Sequence, residues 1–135
     1  MLDIMQTIID AQLCVPPDMT KATLEDLCAI CNGIGAEWIP MSARKKITKA
    51  FNAAEASAAI HDWLYEHSDG SRKSQERADK CFRANALTEI DWKYCWYNPI
   101  RYISQRKILV AYDALRAFGR IAWLEAFVKK LNLES

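Results

Sequence analysis

Apolar residues recur at intervals of three and four along most of the chain, which is the spacing of one face of an α-helix. In the first third, this pattern predicts an amphipathic helix over residues 2–13, ended by a pair of prolines. A shorter helix is predicted to begin at Thr23, an N-cap residue followed by acidic residues. The two glycines within residues 32–35 favour a turn, and a further short helix is predicted to begin near Pro40.

The middle of the chain predicts two antiparallel helices joined by a turn. Asn52, followed three residues later by an acid, has the spacing of a capping box and opens an alanine-rich helix over about 53–67. The serine, aspartate and glycine that follow have the composition of a turn. Ser71 is then placed to cap a second helix over about 72–87.

The last third returns to helical spacing after an aromatic stretch over residues 92–97 that allows a short hairpin. The helical pattern runs from Ile100 to Leu133, with Gly119 as a bend between two helices. The chain has no internal repeat, linker or domain boundary. We therefore predict one all-α domain over residues 1–135, a compact bundle of about five to six helices around the central antiparallel pair.

Composition and charge exclude several classes of protein. The 135 residues are 51% hydrophobic with four Gly and four Pro, so the chain is long and apolar enough to bury a core. A net charge of +1 argues against a nucleic-acid-binding protein, although residues 98–135 carry seven basic residues against three acidic ones. The first ten residues lack the basic region of a signal peptide, and no apolar stretch is long enough to span a bilayer. We therefore expect synthesis in the cytoplasm, with later export and oligomeric state left open.

Five cysteines do not have the density of a disulfide scaffold. Cys28 and Cys31 have the Cys-x-x-Cys spacing of half a zinc site or of a redox pair. A second pair at the right spacing is missing, so two buried thiols are the simpler interpretation. A metal or redox module built on this pair stays open as an alternative.

The strongest local motif is His61-Asp62-Trp63-Leu64-Tyr65. On a helix, His61 and Tyr65 share a face, while Asp62 is rotated from His61 by about 100°. His61 lies nine residues before Gly70 and Asp79 nine residues after it. A turn centred on Gly70 therefore places the imidazole and the carboxylate at the same height on neighbouring helices. A carboxylate in that position orients the ring and leaves its other nitrogen to take a proton from water. An ordinary hydrogen bond between helices is the competing interpretation.

The closely spaced glycines at residues 31–35 suggest a cation site. Such a loop lets backbone carbonyls converge on a hard cation, and Ca²⁺ prefers oxygen ligands of this kind. Asp62, which points away from His61, is placed to supply a charged ligand. The alternative is a helix C-cap followed by a turn.

Together, these three elements resemble the phospholipase A2 superfamily, in which a glycine-containing calcium loop precedes a His-Asp-x-x-Tyr helix and a helix with an Asp near Cys-Phe. The matching region covers about residues 28–85, and the low cysteine content is similar to the viral and bacterial branches. The matching stretches, in the order of the family, are Cys31-Asn32-Gly33-Ile34-Gly35, His61-Asp62-Trp63-Leu64-Tyr65 and Ala78-Asp79-Lys80-Cys81-Phe82.

The resemblance implies a catalytic role for four residues. His61 would activate the attacking water, Asp79 and Tyr65 would orient His61, and the Gly33 amide would help to stabilise the oxyanion. The implied activity is calcium-dependent hydrolysis of lipid esters, with a glycerophospholipid as substrate, and thus lipid degradation.

The resemblance also implies a Ca²⁺ cofactor and a contact with membranes. The metal ligands would be Asp62 and the backbone carbonyls of Cys31, Gly33 and Gly35. Apolar residues in and beyond the loop could form a rim that touches a lipid surface; these are Ile34, Trp38 and Ile39.

The alternative function is a non-catalytic helical module for assembly or binding, of a kind expected in a phage or bacterial protein. In that case, the contact between His61 and Asp79 is structural and only braces two helices.

Overall fold

The computed structural model describes residues 2–23, 25–27, 41–67, 69 and 71–134. Within these ranges the chain is all-α and contains no strand. The helices are α1 (Leu2–Asp10), α2 (Pro17–Thr20), α3 (Met41–Ala53), α4 (Glu55–Glu66), α5 (Arg72–Lys93) and α6 (Pro99–Glu134). The predicted helical bundle is confirmed, with α4 and α5 as its central antiparallel pair.

The first helix is shorter than the pattern predicts. It ends at Asp10, because Gln12 adopts a positive φ of 56° and the Leu13 amide turns back to the Ile8 carbonyl at 3.1 Å. The prolines do not end it. Pro17 instead begins α2, where a missing backbone N–H costs nothing because the first turn leaves it unpaired.

The start of α4 differs from the predicted capping box. Asn52 lies exposed inside α3, and α4 begins after Ala54. The cap comes from α5, where the buried Glu89 carboxylate accepts hydrogen bonds from the Ser57 amide at 2.9 Å and the Ser57 hydroxyl at 2.8 Å. A carboxylate is favourable at a helix N-terminus because unpaired N–H groups converge there.

The predicted cap of α5 is confirmed, since Ser71 accepts a hydrogen bond from the Ser74 amide at 3.1 Å. The helix continues to Lys93, six residues beyond the predicted end at about 87. The aromatic stretch after it forms a turn instead of a hairpin, closed by a hydrogen bond from the Asn98 amide to the Cys95 carbonyl.

The predicted bend at Gly119 is wrong, since α6 runs through this position as one helix of 36 residues. A glycine inside a helix costs about 1 kcal/mol relative to alanine, which the rest of a long helix can offset. None of the helices in the described ranges combines the length and apolarity that crossing a membrane requires.

The described core forms two apolar clusters, and α4 contributes to both. One joins α4 to α3, α5 and α6 around Phe82 and Ile108, and the other joins α4 to α1 and the following segment around Leu27 and Ile60. Alanines on several sides of α4 let its neighbours pack closely. Because α4 is packed on both sides, a polar side chain pointing from it towards α5 is removed from water.

Candidate functional site

His61 and Asp79 meet between α4 and α5. The Nε2 atom of His61 lies 2.9 Å from Oδ1 of Asp79, with the residues 2% and 0% exposed respectively. The pairing predicted from equal distances to Gly70 is therefore confirmed. Because Nε2 is engaged by the carboxylate, any proton transfer to this ring has to use Nδ1.

Tyr65 lies on the same face of α4 as His61, as their spacing of four residues predicts, and it reaches the same carboxylate. Its hydroxyl donates a hydrogen bond to Oδ1 of Asp79 at 2.7 Å, and its ring centre lies 4.1 Å from that of the imidazole. Burial raises the pKa of the Tyr65 hydroxyl well above its ordinary value, and the adjacent Asp79 charge and the hydrogen bond to it raise it further. Tyr65 is therefore a neutral donor at physiological pH.

Arg116 on α6 completes the set of donors around Asp79, and it is not among the residues expected from the sequence. Its Nη1 atom donates to Oδ2 of Asp79 at 3.0 Å, and its side chain is 36% exposed. One oxygen of the carboxylate thus faces His61 and Tyr65, and the other faces a cation. No local signal separates Arg116 from the other basic residues of the C-terminal third.

Aromatic rings line the imidazole. The ring centres of Phe51 on α3 and Phe82 on α5 lie 5.6 and 5.4 Å from that of His61, and both residues are buried. Such walls exclude water, and electrostatic interactions are stronger inside them. Phe82 also shares a core cluster with Ala58 on α4.

The expected calcium site is described only in part. Asp62, a half-buried residue on α4, is a hard oxygen donor and suits Ca²⁺ chemically. The other expected ligands, Cys31, Gly33 and Gly35, lie outside the described residues. In the ranges that the structure does describe, no group of three or more His, Cys, Asp or Glu residues could hold a metal ion.

Other expected features fall in the same undescribed stretch. The proposed lipid-facing rim (Ile34, Trp38 and Ile39) and the Cys28–Cys31 pair both lie there. The alternatives built on them therefore stay predictions.

A cavity of about 460 Å³ lies beside the site. Leu64, one helical turn after His61, and Ala78, next to Asp79, belong to its wall, which Val15 and Pro16 close from the segment after α1. Neither His61 nor Asp79 is among its described lining residues. The cavity therefore neighbours the site without including it.

Comparisons of this chain with protein-family models, with curated proteins and with solved structures found no match. A function for this chain is therefore argued from the side-chain geometry of the site.

Proposed function

We propose that this protein is a calcium-dependent hydrolase of glycerophospholipid esters, in which His61 activates a water molecule. The observation that carries the proposal is the hydrogen bond of 2.9 Å between His61 Nε2 and a fully buried Asp79 carboxylate. Tyr65 on the same carboxylate supports it, because the hydroxyl and the imidazole are held on one oxygen at once. This is the arrangement of a base with an orienting acid.

The chemistry follows from the two ring nitrogens. With its proton on Nε2 directed at Asp79, His61 has an unprotonated Nδ1 that takes a proton from water as the water oxygen attacks the ester carbonyl. The negative charge of Asp79 stabilises the imidazolium that forms. The ring then returns the proton to the leaving alcohol oxygen, giving a fatty acid and an alcohol. No serine or cysteine nucleophile is needed, because water attacks directly.

The proposal includes a calcium ion held by Asp62 and by the backbone carbonyls of Cys31, Gly33 and Gly35. Bound there, the ion would supply positive charge for the oxyanion that develops at the ester carbonyl, together with the Gly33 amide. Asp62 supports this part by chemistry, since it offers a carboxylate one position after the base.

The second candidate is a non-catalytic helical module, and burial is the observation that favours it. His61 is 2% exposed, and the neighbouring cavity is not lined by it. A hydrogen bond between buried groups on adjacent helices also stabilises a bundle. In this candidate, His61 and Asp79 fix the packing of α4 against α5 and react with nothing.

Hydrolysis of mixed phospholipid micelles, with calcium and with a chelator, separates the two candidates. The variant is His61→Gln, and its matched control is His67→Gln, the other histidine of the chain. His67 follows α4, stacks on Trp63 and bonds through Nδ1 to the Trp63 carbonyl at 2.9 Å. Loss of the base lowers the rate of fatty-acid release by about 10²- to 10⁴-fold, while the control stays near the parent. Equal release by His61→Gln and parent contradicts the proposal.

Calcium binding is tested apart from catalysis by titration with tryptophan fluorescence, since Trp63 adjoins Asp62. Saturable binding that Asp62→Asn abolishes supports the proposed ligand, and Asp10→Asn on α1 is the control. If calcium does not change the tryptophan fluorescence of the parent protein, the metal part of the proposal is contradicted. Zinc recovered with the purified protein would instead favour a module built on Cys28 and Cys31.

A further inference from the structure

Two thiols that are distant in the sequence lie together on the wall of the cavity. Cys14 belongs to the segment between α1 and α2, and Cys81 lies on α5; both are free thiols and both line the cavity of about 460 Å³. Leu13, which precedes Cys14, is part of the core cluster against which Val15 and Cys81 both pack. The residues on either side of Cys14 therefore share their packing with Cys81.

The side chain of Asn85 fixes Cys14 beside Cys81. Its Oδ1 accepts a hydrogen bond from the Cys14 amide at 2.9 Å, and its Nδ2 donates to the Cys14 carbonyl at 2.8 Å. The same Nδ2 lies 3.4 Å from Sγ of Cys81, which is about one helical turn before Asn85 on α5. One amide nitrogen thus contacts both cysteines, and Cys14 cannot leave α5 without losing two hydrogen bonds.

The ionisation of Cys81 also reports that Cys14 is near. Burial raises the pKa of the Cys81 thiol, the charge of Cys14 raises it further, and the hydrogen bond from Asn85 acts in the opposite direction. An effect of one charge on another falls with the distance between them. Cys14 is exposed and open to small reagents, whereas Cys81 is half-buried.

We propose that Cys14 and Cys81 are a site of reversible oxidation, at which a low-molecular-weight disulfide such as oxidised glutathione converts the two thiols to one protein disulfide. The link joins α5 to the segment after α1 and ties down residues 14–16, which close the cavity. The assignment does not depend on the proposed hydrolysis, because it uses none of the residues given a role there.

Two thiol–disulfide exchanges give this product. The thiolate of the exposed Cys14 attacks one sulfur of the small disulfide, whose S–S bond breaks, and the departing thiolate takes up the proton that Cys14 released. Cys81 then attacks the Cys14 sulfur of the mixed disulfide, and the second small thiol leaves. Two protein thiols are oxidised, and one small disulfide is reduced to two thiols. The second attack is intramolecular, which offsets the raised pKa of Cys81.

Cys95 is the matched control for the exposed thiol. It is exposed like Cys14, but it follows α5, whose last residue, Lys93, lies about 18 Å from Cys81 along the helix axis. A disulfide requires the Cα atoms of its cysteines to lie within about 7 Å of each other. Cys95 therefore reports how an exposed thiol of this protein reacts when Cys81 is out of its reach.

Peptide mass spectrometry identifies the link, because trypsin separates the thiols. Cys14, Cys81 and Cys95 fall in separate fragments, and Cys28 and Cys31 share a further one; the four fragments are 1–21, 81–83, 94–101 and 22–44. The folded protein is equilibrated with reduced and oxidised glutathione at several ratios, quenched with acid, blocked with N-ethylmaleimide and digested. We expect fragment 1–21 joined to fragment 81–83, with fragment 94–101 carrying glutathione only.

The fraction linked at each glutathione ratio gives the effective concentration of the two thiols. We expect a value at least about 10-fold higher in the folded protein than in urea, because the fold already holds the two segments together. This comparison needs no variant, so it stands even where a variant fails to fold. An effective concentration no higher in the folded protein than in urea overturns the proposal.

Serine variants test the order of the two exchanges. We expect Cys81→Ser to lose the linked fragments and to hold glutathione on Cys14, while Cys95→Ser forms the link to the parental extent. Absence of the link from the folded parent, or a preferred link from Cys14 or Cys81 to another cysteine, also overturns the proposal.

Discussion

Replacing Asp79 by asparagine removes one charge from a site where three donors converge. The carboxylate accepts from His61 and Tyr65 on one oxygen and from Arg116 on the other. An asparagine has one oxygen, so its amide nitrogen must face either the arginine or the other two donors. In the first case, the amide and the guanidinium oppose each other as two donors; in the second case, His61 and Tyr65 have to accept in place of donating. In either case, Arg116 loses its counter-charge.

The structure sets the expected size of this effect. Removing one partner of a buried ion pair costs about 3–5 kcal/mol. Since the Arg116 side chain is 36% exposed and can be rehydrated, we take the lower end, about 3 kcal/mol. At about 4 °C per kcal/mol for a chain of this size, Tm falls by about 12 °C.

Urea and thermal unfolding of Asp79→Asn measure this loss, with Asp91→Asn as the control. Asp91 also accepts from an arginine and from a glutamine of α6, but its side chain is 45% exposed. An exposed pair contributes at most about 1 kcal/mol. Free energies of unfolding for the two variants that agree within about 0.5 kcal/mol would refute the reasoning, since burial is what separates them.

Tyr65 and Cys81 both have a pKa above the ordinary value of their side chain, and each allows a test. The pKa of Tyr65 is raised in the folded state by burial and by Asp79, so the stabilisation from its neutral form is complete below pH 10 and is lost as pH rises beyond that. We expect Tm to fall more steeply above pH 10 in the parent than in Tyr65→Phe, while replacing the exposed Tyr97 by Phe leaves the slope unchanged; parallel slopes in all three would contradict this. Burial also raises the pKa of the Cys81 thiol, so iodoacetamide at pH 8 should label it more slowly than the exposed Cys95 by peptide mass spectrometry, and equal rates in the folded protein would argue against it.

The sequence predicts the central helix pair well because short-range rules decide it. The serine cap at Ser71 sets where α5 begins, and the equal spacing of His61 and Asp79 from position 70 in the sequence predicts their pairing. Helix ends decided by distant residues are predicted poorly. The cap of α4 comes from Glu89, 32 residues after the Ser57 amide that it accepts from, and no local pattern indicates such a partner.

The residues of the candidate site also divide into those that local spacing indicates and one that depends on distant packing. His61, Tyr65 and Asp79 are found from spacing, since two of them share a helix face and the third lies across one turn. Arg116 is 37 residues from Asp79, and the contact depends on how α6 packs against α5. The Gly119 bend fails for a related reason, because local propensity is a weak prior once a long helix is held by its neighbours.

The polar cluster around Asp79 is a costly way to join three helices, and this bears on its purpose. A buried ion pair often contributes less stability than well-packed apolar side chains of similar volume. If His61, Tyr65, Asp79 and Arg116 only braced the bundle, apolar residues would serve as well. We therefore expect the combined replacement His61→Leu, Tyr65→Phe, Asp79→Leu and Arg116→Met to fold with a free energy of unfolding at or above that of the parent, and to lack the proposed hydrolysis. Chemical denaturation and the micelle assay measure the two quantities on the same preparations. A variant that is several kcal/mol less stable than the parent would show that the cluster exists for structure.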